Sequence, residues 1–78
     1  MDPRQREAQL SAAVRDYISA YPFSMDTVEG IANWWMSGTG AAVPRRMLIR
    51  VLDRLVQEGV LEKIGSGPNA LYRRRRAV

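Results

Sequence analysis

The stretch that decides the fold runs from Arg45 to Arg74: RRMLIRVLDRLVQEGVLEKIGSGPNALYRR. Its first part carries Met47, Leu48, Val51, Leu52, Leu55 and Val56 at offsets that place them on one helical stripe. Arg45, Arg46, Ile49, Arg50, Asp53, Arg54 and Gln57 fall mostly on the opposite side. Pro44 suits the first turn of this helix, and Gly59 suits the position just past its end. Val60 to Ile64 and Ala70 to Arg73 then read as two short strands joined by Gly65-Ser66-Gly67-Pro68-Asn69. Two strands are not stable alone, so the hairpin needs a helical floor.

The upstream sequence supplies that floor. In DPRQREAQLSAAVRDYISAYP, Leu10, Ala13, Val14, Tyr17, Ile18 and Tyr21 share one helical face. Asp2 is placed to cap this helix, with Pro3 at the first position and Gln5 three residues after the cap. Pro22 stops it. Phe23 to Met25 is extended and predicts a third short strand at a sheet edge. DTVEGIANWWMSG opens a second helix, with Asp26 and Glu29 at capping-box spacing and Val28, Ile31, Ala32 and Trp35 facing the core. Gly30 costs that helix about 1 kcal/mol relative to alanine, which points to close packing there. The helix should end near Gly38, and SGTGAAV has a loop's composition. Trp35 belongs to the core stripe, which leaves Trp34 or Met36 nearer the rim. Helical spacing also assigns Tyr17 and Tyr21 to the core, and Tyr72 packs the return strand onto the third helix. The order predicts an α+β fold, mainly helical.

The 78 residues suffice for one small domain, read as residues 1–74, followed by a mobile basic tail at 75–78. With no cysteine and no histidine, the chain has no disulfide framework, no ordinary zinc ligands and no usual general base. No cofactor or metal is expected. An enzyme is not expected either, because no nucleophile–base pair can be argued. Gly65-Ser66-Gly67 lacks the lysine and following helix of a phosphate loop. No apolar run reaches the ~18 residues of a membrane span, and the polar N-terminus lacks a signal peptide's apolar core. The expected setting is the cytoplasm or the nucleoid.

The net charge is +4, unevenly distributed. Residues 1–39 carry three basic against five acidic residues, a net of −2, whereas residues 40–78 carry nine against three, a net of +6. The second half therefore faces a polyanion better than the first. Arg46, Arg50 and Arg54, spaced by four, stack along one helix face, where guanidinium groups reach phosphates or the O6/N7 edge of guanine. The plainer reading is a solvated helix face. In Arg73 to Arg76, strand geometry would send alternate side chains to opposite faces. An ordered Arg73 followed by an auxiliary electrostatic arm is expected there.

The quoted stretch resembles the recognition helix and wing of a winged helix-turn-helix domain. The pieces are the paired aliphatics Leu52 and Leu55, Glu58-Gly59-Val60-Leu61, the tip from Gly65 to Asn69, and Tyr72 on the return strand. DTVEGIANWWM is similar to that family's supporting helix. The resemblance implies three helices and a C-terminal two-stranded wing, with the third helix in the major groove of double-stranded DNA. Carried over by position, the groove-facing residues are Arg45, Arg46, Ile49, Arg50, Asp53 and Arg54. The wing residues are Lys63, Ser66, Asn69, Arg73 and Arg74. One departure is the long glycine-rich linker, with no serine or threonine cap directly before Pro44. The implied function is duplex binding, sequence-preferring or nonspecific, in a small transcriptional regulator. The alternative is a winged-helix protein-interaction module without DNA contact, with Trp34 as a contact to a homodimer mate or another protein.

Overall fold

The computed structural model describes residues 3–35 and 43–76. The expected Asp2 cap, Met36, the helix end near Gly38 and most of the SGTGAAV loop lie outside the described residues, as do Ala77 and Val78 of the tail.

Helix α1 (Pro3–Ala20) buries Leu10, Val14 and Ile18, spaced by four, with Ala13 and Tyr17 packed at the margin. It stops where Pro22 has no amide hydrogen to continue it. Tyr21 differs from expectation. The residue is 58% exposed and its ring leans on Tyr17 at 4.8 Å between centroids, because α1 ends one residue before it and the helical period no longer sets its direction.

Strand β1 (Met25–Asp26) starts later than the expected Phe23 to Met25, and Phe23 lies in the preceding turn. The helical turn α2 (Val28–Gly30) follows and widens into a π-helical turn over Ile31–Trp35, which buries Ile31 and Trp35. The cap is Thr27 rather than Asp26: its Oγ1 accepts the Gly30 N–H at 3.2 Å from an extended backbone (φ −78°, ψ 170°). Asp26 is held instead in the sheet opposite Tyr72, and its Oδ1 accepts the Thr27 N–H at 2.8 Å. Glu29 is thereby released from the expected capping box. Gly30 meets the expectation of close packing, since a Cβ there would lie 1.8 Å from Asp26 Oδ1.

Helix α3 (Arg45–Gln57) buries Leu48, Val51, Leu52 and Leu55. Pro44 is its N-cap rather than part of its first turn, with φ −61° and ψ 124° and no side-chain cap. At the other end Gly59 takes φ 79°, which a side chain would resist. Its N–H donates to Val56 O at 3.1 Å and the Val60 N–H to Leu55 O at 2.9 Å, a Schellman closure that turns the chain directly into the hairpin.

Strands β2 (Leu61–Ile64) and β3 (Leu71–Arg74) pair antiparallel, with Leu61 opposite Arg74 and Lys63 opposite Tyr72. The tip between them contains a 3₁₀ turn over Gly67–Asn69. β1 pairs with the far side of β3, so the sheet order is β1-β3-β2 and β3 is central. The result is a small, mainly helical α+β domain with three helices and a three-stranded antiparallel sheet. Its single core joins Val14 and Ile18 of α1, Ile31 and Trp35, Leu48, Leu52 and Leu55 of α3, and Leu61 and Tyr72 of the sheet. Each large apolar side chain fully buried there contributes about 1.5–3 kcal/mol.

Candidate nucleic-acid interface

The buried stripe of α3 fixes what the helix presents to solvent. At 100° per residue, Arg46, Arg50, Asp53 and Gln57 fall opposite Leu48, Leu52 and Leu55, with Ile49 and Arg54 on the flanks. All six are exposed, Ile49 at 40%. No described element covers this side.

The four helix arginines are not equivalent. Arg45 is committed to α2: its Nε and Nη2 fork onto the two Glu29 oxygens, each at 2.8 Å, and its Nη1 donates to Val43 O at 3.0 Å. The Glu29 carboxyl is held below its ordinary range by that hydrogen-bonded guanidinium. Arg50 sits 3.4 Å from Glu7 of α1, with its own side chain 68% exposed. Among the described residues, no acidic side chain lies within salt-bridge distance of Arg46 or Arg54. The open charge of the helix is therefore Arg46 and Arg54, with Arg50 loosely tethered between them.

Asp53 lies on the same side but is engaged by the sheet. The Tyr72 hydroxyl donates to its Oδ1 at 3.3 Å, and the Lys63 ammonium stands 5.7 Å from the centre of the Tyr72 ring. Tyr72 thus joins an acid on α3 to a base on β2. Burial and the Asp53 charge together push the Tyr72 hydroxyl's pKa up. Lys63 is brought beside α3, where it offsets Asp53.

The hairpin divides the remaining candidates. Residues directly opposite share a face, so Lys63, Tyr72, Leu61 and Arg74 lie on the helix side of the sheet. Arg73 lies on the other side, ion-paired across the strands with Glu62. It does not join the α3 surface. Ser66 and Asn69 are exposed at the tip. Arg74 is exposed at the base of the ribbon, and the Arg75 N–H donates to Val60 O at 3.0 Å, one residue past β3. Trp34 is 71% exposed beside the buried Trp35, which stacks on Tyr17 at 4.7 Å.

Sequence reasoning missed Glu29 and Glu7 as partners of helix arginines. Their charges were visible, but 16 residues separate Glu29 from Arg45, and only the fold brings them together. It also missed a groove formed by Phe23 with the C-terminal arginines. No helix among the described residues is long and apolar enough to cross a membrane. Comparison with protein-family models, curated proteins and solved structures finds no match to this chain.

Proposed function

We propose that the chain is a winged-helix domain that binds duplex DNA, with α3 entering the major groove and the β2–β3 hairpin lying beside it as the wing. The observation that carries this reading is the uncovered side of α3: Arg46, Arg50 and Arg54 face solvent there, with Lys63 adjacent. Phosphate contacts from three of these four residues would supply affinity, and one helix arginine aimed at guanine would supply base preference. Ser66 and Asn69 at the tip are suited to neutral hydrogen bonds with the sugar–phosphate backbone. The regulatory role, as a small transcriptional regulator, rests on this binding mode.

Three phosphate contacts imply a log–log salt slope of about −2.7, or roughly a fortyfold loss of affinity between 50 and 200 mM salt. Fluorescence anisotropy with a labelled duplex measures this directly. Arg50→Ala with Arg54→Ala should weaken binding and flatten the slope by about 2 while leaving the circular dichroism spectrum unchanged. Wild-type affinity in that double variant would refute the proposed face.

A protein-interaction winged helix is the second reading. It is favoured by the exposure of Trp34 and by the diversion of Arg45 to Glu29. Absence of duplex binding at low salt would leave that reading in place of the first.

A further inference from the structure

The base of the sheet, at the end of the hairpin away from its tip, carries a second surface. β1 pairs only with Tyr72 and Arg73 of β3. From Arg74 onward, that edge of the ribbon has no strand partner among the described residues, while the opposite edge is closed by the Arg75 N–H bond to Val60. The turn before β1, held by the Ser24 N–H on Tyr21 O at 3.1 Å, stands across from this open stretch. Between them lies a groove of about 340 Å³. Pro22 to Met25 line one part of it, and Arg73 to Arg76 line another, Arg73 being the one already paired with Glu62.

Two features there are unexplained by folding. Phe23 is 93% exposed, the most solvated large apolar side chain among the described residues, and Met25 beside it is 47% exposed. Arg74, Arg75 and Arg76 have no acidic side chain within salt-bridge distance among the described residues. A solvated aromatic next to unpaired cations is a surface with an apolar anchor point and a charge preference.

We propose that this groove docks an acidic peptide segment bearing one large apolar side chain, the apolar group seated against Phe23 and Met25 and the carboxylates alternating between Arg75, on the Met25 face of the ribbon, and Arg74 and Arg76 on the other. The strand geometry favours a peptide over a nucleic acid. Successive arginines point to opposite faces of the ribbon, so they do not form the one-sided row that a phosphate backbone would follow. An extended peptide alternates its side chains with the same period and can use the open main-chain edge. A concave site suits an inserted side chain better than a lipid surface does. A second copy of this chain is a poor occupant, because the sequence contains no two adjacent acidic residues. The groove shares Arg74 with the wing, but its anchor Phe23 has no part in the duplex reading, so Phe23 variants test this inference separately.

The test is anisotropy of a fluorescein-labelled peptide, EDESFEDE, with the full chain at low salt. Saturable binding is expected, with a loss of about thirtyfold in Phe23→Ala and unchanged affinity for a duplex. The exposed position of Phe23 keeps the variant folded, and circular dichroism checks this. Arg75→Glu with Arg76→Glu should abolish peptide binding. The proposal is overturned by any of four results: no saturable binding, equal binding of a control peptide with glycine in place of the phenylalanine, full binding by Phe23→Ala, or tighter Phe23-dependent binding of oligothymidylate or phosphatidylserine vesicles. Phe23-dependent self-association in sedimentation, without peptide binding, would overturn it in favour of a dimer contact.

Discussion

Replacing Gly30 by alanine sets two effects against each other. Alanine is favoured over glycine within a helix by about 1 kcal/mol, so on propensity alone the change stabilises. The structure opposes it: the new Cβ would lie 1.8 Å from Asp26 Oδ1, 2.0 Å from its Cγ and 2.2 Å from its Oδ2. The carboxylate must therefore leave. In leaving, it gives up the Thr27 N–H at 2.8 Å, a charge-assisted bond in a partly buried setting. That loss is on the order of 1.5–3 kcal/mol. The net expectation is a destabilisation of about 0.5–2 kcal/mol, or roughly 2–16 °C in Tm for a domain of this size. Asp26→Ala alone should cost a similar amount, and Gly30→Ala added to it should restore about 1 kcal/mol, because the obstacle is gone. Urea denaturation of the wild type and the three variants gives the coupling energy. A Gly30→Ala protein more stable than wild type would show that the Asp26 carboxylate does not oppose a side chain at position 30. The junction matters for function because it sets how β1 enters α2, and α2 in turn holds Arg45 through Glu29.

Three further variants have defined outcomes. Glu29→Gln frees the Arg45 guanidinium at the edge of the α3 face, so duplex affinity should rise and the salt slope steepen by about 1 in anisotropy titrations. Because the Glu29 carboxyl is held below its ordinary range, the Arg45 pair contributes stability above the unfolded carboxyl pKa, and this is lost as pH falls through the lower folded value. An acid titration of Glu29→Gln should lack that contribution. Tyr72→Phe removes the hydroxyl bond to Asp53 and should cost about 0.5–1.5 kcal/mol by urea denaturation. The raised Tyr72 pKa means that the unfolded chain loses this proton first, so stability should fall as pH rises through about 10, and Tyr72→Phe should flatten that fall. Leu52→Ala, at a position with no exposed surface, should cost about 2–5 kcal/mol, enough to abolish the cooperative thermal transition in a domain this small.

The parts of the fold that depend on local pattern were legible in the sequence. The stripes of α1 and α3, the glycine that closes α3 and the strand pair after it all follow from spacing within a few residues. The errors arise where distant segments decide. Asp26 and Thr27 are both competent caps, and the choice falls on Thr27 because β3, more than forty residues away in sequence, claims Asp26. The position of β1 beside β3 rather than β2 has the same origin. Tyr21 continues the helical period on paper, but the helix stops at Ala20. For the candidate site, Arg46, Arg50 and Arg54 were readable as one face because the buried stripe determines its opposite. The diversion of Arg45 was not readable, nor was the split of Lys63 from Arg73, which depends on a register set by the tip. The solvation of Phe23 could have been suspected from an aromatic directly after a helix-stopping proline, a place where no periodicity assigns it to the core.

The central claim is that the uncovered side of α3 is the duplex-binding surface. Chemical-shift mapping of the ¹⁵N-labelled chain against a short duplex tests it most directly. The account predicts that amide perturbations concentrate on Arg46 to Arg54 and on Lys63 to Asn69. Perturbations confined to Phe23, Met25 and Arg74 to Arg76, or none at all at low salt, would contradict it.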